Sequence, residues 1–451
     1  MSHSFSDLLK KYDVQVPRYT SYPTVPAWKQ TPTKEQWFAD VRETLDGNES
    51  SWAMYLHIPF CETLCTFCGC NTIITKDHKK EFEYVDLMIK ELNIYLAEIP
   101  QLKTRPMKHI HLGGGTPTFL RPDQLHRLLS HIFKSVKCAT EDFEASIEVD
   151  PRRTTYEQLK VLRELGFNRV SLGVQDFNEK VQTLINRVQP FAVTKKISDD
   201  ARTLGFESVN FDLIYGLPAQ NIEMMEVTID KTIELRPDRI AFYSFALVPW
   251  IKPAQRLFSD DDLPQAEKKR ELYEFARQKF LAAGYMDVGM DHFALKTDSL
   301  LKARDRNQLH RNFMGYTDKK TDLLLGLGVS SISESKRMFH QNEKLLPKYQ
   351  TEVLQNQLPT HRGHILTDQD IIQRKKILQL MTQYRLTINN HDEYLMIKAA
   401  AQDLLDENLI TLSENELVVV KEGFPFLRNV CALFDEHLPQ NLNQKLFSKS
   451  I

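Results

Sequence analysis

The residues best suited to chemistry are concentrated in one short stretch, residues 53–70, which reads AMYLHIPFCETLCTFCGC. Four of the six cysteines in the chain lie there within ten residues: Cys61, Cys65, Cys68 and Cys70. Six cysteines in 451 residues are far fewer than a disulfide-stabilised secreted domain uses, whereas thiolates close together in sequence are common metal ligands. We therefore expect a metal centre in this stretch.

Two kinds of metal centre remain open from the spacing alone. A structural zinc ion usually takes two separated Cys-x2-Cys pairs, whereas here one short loop would have to supply all four ligands. An iron–sulfur cluster is held by thiolates that each bind a different iron. Cys-x3-Cys-x2-Cys would supply three thiolates and leave one iron free to bind a small molecule, so the spacing favours a cluster while zinc stays an alternative.

The spacing Cys61-x3-Cys65-x2-Cys68, with Phe67 before the third cysteine, resembles the signature of the radical S-adenosylmethionine (SAM) superfamily. The fourth cysteine, Cys70, and the preceding Tyr-x-His-Ile-Pro-Phe are similar to the oxygen-independent coproporphyrinogen III oxidases. The resemblance implies that the first three cysteines hold a 4Fe–4S cluster that binds SAM. It also implies that Cys70 is required for turnover without being an iron ligand, because related haem-carrying proteins tend to lack it.

The composition argues against several other classes of protein. The net charge is −2, and acids and bases are mixed along the chain, so there is no basic stripe for nucleic acid. No apolar run approaches the ~20 residues that cross a membrane. The first residues, MSHSFSDLLKKYDVQ, do not have the pattern of a signal peptide. We expect a cytoplasmic protein without membrane insertion, and the resemblance implies a monomer that is supplied with electrons by a reducing donor protein.

From residue 53 onward, short strand-like runs alternate with longer helical runs. Six strand–helix units in series predict a parallel sheet with right-handed crossovers. Six units rather than eight predict an α/β fold built on an open, partial (β/α)6 TIM-like barrel, which the resemblance also implies. The predicted strands are 53–58, 109–112, 145–149, 168–174, 208–214 and 239–245, and the predicted helices are at about 80–98, 122–135, 154–165, 221–234 and 263–283.

The barrel and the segments that complete the active site are predicted to span residues 51–355. Residues 1–50 form an N-terminal arm, whose proline-rich RYTSYPTVPAW favours extended backbone. The arm is either a strap on the surface or a lid in which Arg18 contacts a substrate carboxylate. Residues 356–451 form a smaller, mainly helical domain with a β-wing at 408–412 and 416–420 and a last helix at about 424–437. No basic recognition helix accompanies the wing, so we expect it to cover the active site.

The unusual residues of the barrel fall at or just after the ends of its predicted strands. In parallel barrels this edge is where ligands bind, so we expect one shared ligand face. The cysteines follow the first strand, residues 113–116 the second, and the next four strands end near Glu148, Gln175, Asp212 and Ala246.

The resemblance implies a set of contacts to SAM, and each has a simpler structural alternative. The glycines could form only a tight turn, with Gly113 structural in either case, and Arg187 could be a surface cation. His57 is expected to be a packed core residue. The implied SAM contacts are Tyr55, Phe67, Gly114, Gly115, Thr116, Glu148, Gln175, Arg187, Asp212, Ala246 and Ile332. Five further polar residues could line a carboxylate-binding mouth or dock the C-terminal domain, namely Asp291, His292, His310, Arg311 and Asn312.

The resemblance implies an oxidoreductase of haem biosynthesis. Two propionate side chains of coproporphyrinogen III would lose carbon dioxide to give the vinyl groups of protoporphyrinogen IX, through a 5′-deoxyadenosyl radical, with two SAM molecules bound. Leu247 departs from the family, in which many members have histidine. Two alternatives stay open: a haem-binding trafficking protein on the same fold, and a radical SAM enzyme acting on another tetrapyrrole.

Overall fold

The six predicted strands are all present in the computed structural model, which describes residues 4–439 and 447–449. Neighbours along the chain are neighbours in the sheet, and every pair among the six is parallel. The predicted strand ends agree with the observed ones to within two residues. The strands, first to sixth, are Trp52–Ile58, Met107–Gly114, Glu144–Val149, Arg169–Gln175, Ser208–Tyr215 and Arg239–Ser244.

A seventh parallel strand, Leu323–Leu327, pairs with the first strand and was missed in the sequence. Its residues, LLLGL, are all buried, and a short apolar run does not by itself distinguish a strand from part of a buried helix. Antiparallel strands extend both edges of the sheet, which does not close, so the expected open barrel is confirmed. These added strands are Ile332–Glu334, Met338–Asn342 and Thr360–Ile365 at one edge, and Tyr285–Gly289 and His292–Leu295 at the other.

Helices follow the strands because their apolar residues recur at helical spacing. In Pro122–Ser135, for example, Leu125, Leu128 and Ile132 are fully buried, and each such side chain contributes about 1.5–3 kcal/mol to folding. Thr155 begins Tyr156–Glu164 with a capping box. The other helices associated with the parallel strands are Lys80–Glu98, Gln101–Thr104, Glu179–Leu184, Phe191–Thr203, Ile222–Leu235 and Ala266–Ala282.

The N-terminal segment is divided between two apolar cores. Trp37 and Val41 of helix Lys34–Thr44 belong to the barrel core. Leu9 of helix Phe5–Tyr12 and Tyr22 pack with the C-terminal helices instead. The domain boundaries stay a prediction, and residues 1–3, 440–446, 450 and 451 of the two flanking segments lie outside the described residues.

The C-terminal segment contains the predicted helices and wing. Its helices are Asp368–Gln383, His391–Ala400, Gln402–Asp406 and Leu427–Ala432, the last one shorter than the predicted 424–437, and the wing strands are Arg385–Thr387, Ile410–Leu412 and Glu416–Val419. Helix Leu346–Leu354 precedes this segment, and its Tyr349 and Val353 belong to the barrel core. The rest of the regular structure comprises Val25–Ala27, Phe60–Cys61, Ile73–Ile74, Pro117–Phe119, Pro253–Leu257, Asp260–Asp262, Ser299–Asp305, His310–Asn312, Gly315–Thr317 and Lys421–Phe426. Of the helices within the described residues, none has the length and apolarity that a bilayer crossing requires.

Candidate active site

A cavity of about 350 Å³ lies at the carboxyl ends of the parallel strands. It is lined by the four cysteines of the loop and by residues from the ends of the second to fifth strands. The sequence analysis predicted that these residues share one ligand face. The predicted site residues that line the cavity are Cys61, Cys65, Phe67, Cys68, Cys70, Gly114, Gly115, Thr116, Glu148, Gln175, Arg187 and Asp212.

Three predicted SAM contacts are not among the residues that line this cavity. Tyr55 is buried behind it, with its ring stacked on His111, which does line the cavity. Ala246 follows the sixth strand, and Ile332 packs against the cluster that contains Trp28. Their proposed roles stay predictions.

His57 has the surroundings of a packed core histidine. Its Nδ1 accepts a hydrogen bond from the Tyr55 hydroxyl at 3.0 Å, and its Nε2 donates to the carbonyl of Asn71 at 3.0 Å. Burial lowers the pKa of His57, which favours the neutral ring. The Nδ1 bond lies within the first strand, and the Nε2 bond joins that strand to the residue after Cys70.

Neighbouring segments fix the cysteine loop on two sides. On one side, Gln255 donates to the carbonyl of Phe67 at 2.8 Å, and the Lys252 ammonium donates to the carbonyl of Cys70 at 2.9 Å. On the other side, residues 184–186 bond to the loop through backbone and side-chain groups. The loop is thus held in place without disulfides, and all its cysteines are free.

Two guanidinium groups face the sulfur of Cys65. Arg187 Nη1 lies 3.6 Å and Arg152 Nη2 3.7 Å from its Sγ atom, and both arginines also pair with Asp150. Cys61 Sγ lies 3.4 Å from the hydroxyl of Thr116. Such N–H and O–H donors to thiolate sulfurs stabilise anionic clusters and tune their reduction potentials.

Cys68 and Cys70 are coupled, and their thiols are affected in opposite directions. The Cys70 amide lies 3.4 Å from Cys68 Sγ. Hydrogen bonding from the Cys70 thiol lowers the pKa of Cys68 to about 6, which favours the thiolate form that binds metals. The same hydrogen bond raises the pKa of Cys70. The two thiols therefore titrate as one coupled pair.

The arrangement of sulfurs fits a cluster better than a single ion. Within the described residues, the sulfurs of Cys61, Cys65 and Cys68 do not form a group whose ligand atoms all lie within 4.8 Å of one another. Ligands of one tetrahedral zinc ion would lie closer than that. A 4Fe–4S cluster spreads its thiolates over separate irons, so the three-cysteine loop fits the cluster.

The glycine-rich end of the second strand packs too closely for larger side chains. A Cβ on Gly115 would lie 2.7 Å from the carbonyl oxygen of Pro59, and one on Gly113 would lie 3.1 Å from the Glu148 carboxylate. Gly114 adopts φ +114° and donates its amide to Glu148 at 3.3 Å. The amides of Gly115 and Thr116 donate to the carbonyls of Ile58 and Phe60, so this turn is fixed against the segment that leads into the cysteine loop.

Carboxylates form an acidic side of the cavity. Asp212 accepts hydrogen bonds from Ser171 at 2.7 Å and from Asn210 at 3.0 Å. Burial, together with the charge of Glu148, raises the pKa of Asp212 to about 6. Glu148 also lies 3.3 Å from His111 Nε2. These oxygens suit the amino and ribose hydroxyl groups of a nucleoside such as SAM.

A β-bulge directs Gln175 at the end of the fourth strand. The register shifts between Gly173 and Gln175, and Gln175 has φ +68°, which is uncommon for a residue with a side chain. A Cβ on Gly173 would lie 3.0 Å from the Gln175 amide and 3.1 Å from Arg187. The absence of a side chain at Gly173 therefore allows both polar groups to approach.

The structure adds residues that the sequence analysis missed. Arg152 and Asp150 lie beside Cys65, and Lys252 and Gln255 hold the loop from the segment after the sixth strand. Asp150 and Arg152 come two and four residues after Glu148, so their place at a strand end could have indicated them. Lys252 and Gln255 follow a strand end by several residues, and nothing in their spacing distinguishes them.

Two of the five polar residues predicted beyond the barrel line the cavity, and three do not. His292 and Asn312 line it, whereas Asp291, His310 and Arg311 lie outside its lining. Asp291 pairs with His292 at 2.8 Å, and the Arg311 guanidinium lies over the ring of Tyr316, 4.5 Å from its centroid. His310 opens the strand His310–Asn312, and burial lowers its pKa to about 4.

Arg18 lies at the end of the sixth strand, where its Nη2 donates to the carbonyl of Ser244 at 2.6 Å. It lies 4.0 Å from Asp291 and outside the cysteine cavity, so its contact with substrate stays a prediction. Leu247, at the family's frequent histidine position, packs with Phe67 beside the cysteine loop.

Comparison with known proteins agrees with this site. Residues 55–232 match the radical SAM superfamily. The oxygen-independent coproporphyrinogen III oxidase of Synechocystis is 37% identical, over 99% of this chain and 98% of the relative. That of Pseudomonas aeruginosa is 36% identical, over 99% of this chain and 98% of the relative.

This chain belongs to the oxygen-independent coproporphyrinogen III oxidase family. The solved structure of the Escherichia coli coproporphyrinogen III oxidase, a radical SAM enzyme, superposes with a TM-score of 0.88 at 36% identity, covering 94% of this chain and all of that one. The family resemblance carried by the cysteine motif is therefore confirmed. Members of this family use a 4Fe–4S cluster and SAM, and the cysteine loop and the cavity beside it fit both.

Proposed function

We propose that this chain is the radical SAM oxidoreductase that converts two propionate side chains of coproporphyrinogen III to vinyl groups, giving protoporphyrinogen IX in haem biosynthesis. One observation carries the proposal. The four-cysteine loop shares a cavity with the glycine and carboxylate residues of the strand ends, in a chain whose full length matches enzymes of this name.

The cofactors would be held by the residues that line the cavity. Cys61, Cys65 and Cys68 would bind the cluster, while Gly114, Gly115, Thr116, Glu148 and Asp212 would contact SAM. When bound, the cluster and SAM supply an organic radical that can remove a hydrogen atom from a propionate side chain. The chain positions both and separates them from water. Whether one or two SAM molecules bind stays part of the proposal.

We assign Cys70 a role in turnover rather than in holding iron. Its thiol lines the cavity, and its backbone is fixed through Lys252 and through Cys68. A thiol at this position can donate a hydrogen bond or a proton next to the reacting groups.

Electron supply is assigned to a separate donor protein in the cytoplasm, acting on a monomer. Apolar side chains are exposed close to the cysteine loop, with 40% of Leu64, 41% of Trp250 and 57% of Ile251 accessible to solvent. Lys252, which touches Cys70, adds positive charge beside them. Such a patch suits a transient contact with an acidic partner that must approach the cluster.

The decisive experiment is an anaerobic assay of the reconstituted protein with reductant, SAM and coproporphyrinogen III. We expect protoporphyrinogen to form, with one methionine released for each hydrogen atom that is removed from the substrate. Stable haem binding without product would support a trafficking protein instead. Consumption of SAM only with a different tetrapyrrole would point to the other radical enzyme.

A further inference from the structure

Three metal-binding side chains converge at a place far along the chain from the cysteines. His364 lies in the edge strand Thr360–Ile365, Asp370 in the first turn of helix Asp368–Gln383, and His437 in the turns after the last helix. One nitrogen of each imidazole and one carboxylate oxygen all lie within 4.8 Å of one another. Within the described residues, this is the group that meets that criterion for a single ion.

The distances leave one ligand atom without a partner. His437 Nε2 lies 2.6 Å from Asp370 Oδ1, a hydrogen bond. His364 Nε2 lies 3.6 Å from Asp370 Oδ2, too far for one, and it is buried without any hydrogen-bond partner. His364 is only 6% exposed, and an unsatisfied buried nitrogen costs free energy. A bound cation would satisfy that nitrogen.

The donor set matches one class of ion. Two imidazole nitrogens and a carboxylate oxygen are ligands that Zn²⁺ binds tetrahedrally, with water in the fourth position. Burial lowers the pKa of His364, which favours the neutral imidazole that binds metals. Burial opposes ionisation of Asp370, but hydrogen bonds from His437 and Thr367 hold its pKa below the usual value.

We propose that His364, Asp370 and His437 form a zinc-binding site that ties the C-terminal segment to the edge of the sheet. The ion would take the place of the proton between His437 and Asp370. Two zinc ligands lie about 3.3 Å apart, so these two side chains would separate by a fraction of an ångström. Asp370 Oδ2 would keep its hydrogen bonds from Thr367, which set the carboxylate orientation.

The N-terminal arm shares this junction. The Tyr22 hydroxyl accepts the amide of Glu436 at 3.1 Å, and its ring centroid lies 5.8 Å from that of His437. The Lys29 amide contacts His364 Nδ1 at 3.5 Å. Zinc on Nε2 would leave the proton of His364 on Nδ1. Two N–H groups would then face each other, so that weak contact would lengthen. Zinc would therefore act on the arm as well as on the C-terminal segment.

The site is separate from the cysteine cavity, which none of its three residues lines. Its ligands come from the edge strand, the helix that follows it and the turns after the last helix, so its role is to hold those turns against the strand and helix. The inference does not depend on the substrate of the enzyme. Failure of the coproporphyrinogen assay would leave it standing, and failure of zinc binding would leave the enzymatic proposal standing.

The test uses the full chain with its cluster reconstituted, so that the cysteines are occupied before Zn²⁺ is added. We expect one zinc per chain after gel filtration, measured by elemental analysis, with affinity set by chelator competition. His364→Gln, Asp370→Asn and His437→Gln should each weaken zinc binding at least about tenfold. His361→Gln is the matched control, because it lies on the same strand beside Glu343 with its side chain 35% exposed.

Zinc bound equally tightly by the three variants would overturn the site, as would its absence from the unaltered chain at micromolar Zn²⁺. X-ray absorption at the zinc edge of the unaltered chain gives a second measurement, which does not depend on a variant folding. Two imidazoles with oxygen ligands would support the site. Sulfur ligation would place the zinc on cysteines and overturn it.

Discussion

The cysteine loop and the junction of His364, Asp370 and His437 bring metal ligands together in opposite ways. The loop takes its three ligands from residues 61–68, so local chain geometry holds them near one another whatever the rest of the fold does. At the junction His364 and Asp370 are six residues apart, and packing of the turns after the last helix brings His437 beside them from 67 residues further on.

The charge around each site is opposite in sign to the group that the site would hold. A cluster held by thiolates is anionic, and Arg152 and Arg187 approach Cys65. The junction has two neutral ligands and one carboxylate, which together favour a cation. The comparison teaches that the charges brought by neighbouring elements, as well as the ligands themselves, indicate which group a site holds.

Removal of a ligand from the loop should have the largest effect. Cys65→Ala leaves the cluster with two thiolates, so we expect loss of iron and a fall in turnover of at least about 10³-fold. Iron analysis and the anaerobic assay measure both. Cys138→Ala is the control, because Cys138 lies outside the cavity. Retention of both iron and turnover by Cys65→Ala would exclude the loop as the cluster site.

Cys70→Ser tests whether the fourth cysteine has a different role from the three proposed iron ligands. Because we assign Cys70 to turnover, we expect activity to fall about 10²-fold while the iron content stays at the level of the unaltered chain. The same two measurements apply. Turnover at the unaltered level would contradict the role, and loss of iron as complete as in Cys65→Ala would make Cys70 a ligand.

Arg152→Gln tests the charge around the loop. Arg152 donates to Cys65 Sγ and pairs with Asp150 at 2.7 Å. Without its positive charge the reduced cluster is less stabilised, so the reduction potential should become more negative and turnover should fall about tenfold. Spectroelectrochemical titration gives the potential. Arg385→Gln on the exposed wing is the control, and an unchanged potential in Arg152→Gln would remove Arg152 from this role.

The buried Asp212 should make stability depend on pH. Its folded pKa of about 6 is above the usual 3.8, so the native state binds the proton more tightly than the unfolded chain. Its contribution is therefore complete below pH ~4 and is lost as the pH rises through 6, by about 1–3 kcal/mol. Urea unfolding between pH 4.5 and 7.5 should show a larger loss in the unaltered chain than in Asp212→Asn, whose remaining loss comes from Asp176 and Glu91, two other carboxyl groups with raised pKa values. Parallel pH profiles would contradict it.

Thr367→Ala tests the support of the junction and should have the smallest effect. Thr367 caps helix Asp368–Gln383 and holds Asp370 Oδ2, so its loss should cost about 1 kcal/mol and weaken zinc binding about tenfold. Thr155→Ala removes a similar capping box from Tyr156–Glu164 and is the matched control. Thr155→Ala should cost similar stability with unchanged zinc affinity. Equal zinc affinities in the two variants would show that Thr367 does not position the ligand.

Much of the barrel could be predicted because its periodicity is local. Each of the six strands is a short apolar run followed by a helical pattern, and ligand-bearing residues marked their ends. The seventh strand, Leu323–Leu327, was missed because its place is decided by pairing with Trp52–Ile58, far away in sequence. The segment 1–50 was predicted as one arm, although helix Lys34–Thr44 enters the barrel core through contacts that no local pattern specifies.

The sequence by itself determined the three-cysteine spacing, the fourth cysteine and the alternation of strands and helices, because each is a relation between residues close together in the chain. Only the tertiary structure decided that Arg152 and Arg187 approach Cys65, that Tyr55 lies behind the cavity, and that Arg18 reaches Ser244. It alone also brought His437 to His364 and Asp370. The physical reason is that packing and crossovers set distances between residues remote in sequence, and a local pattern contains no record of them.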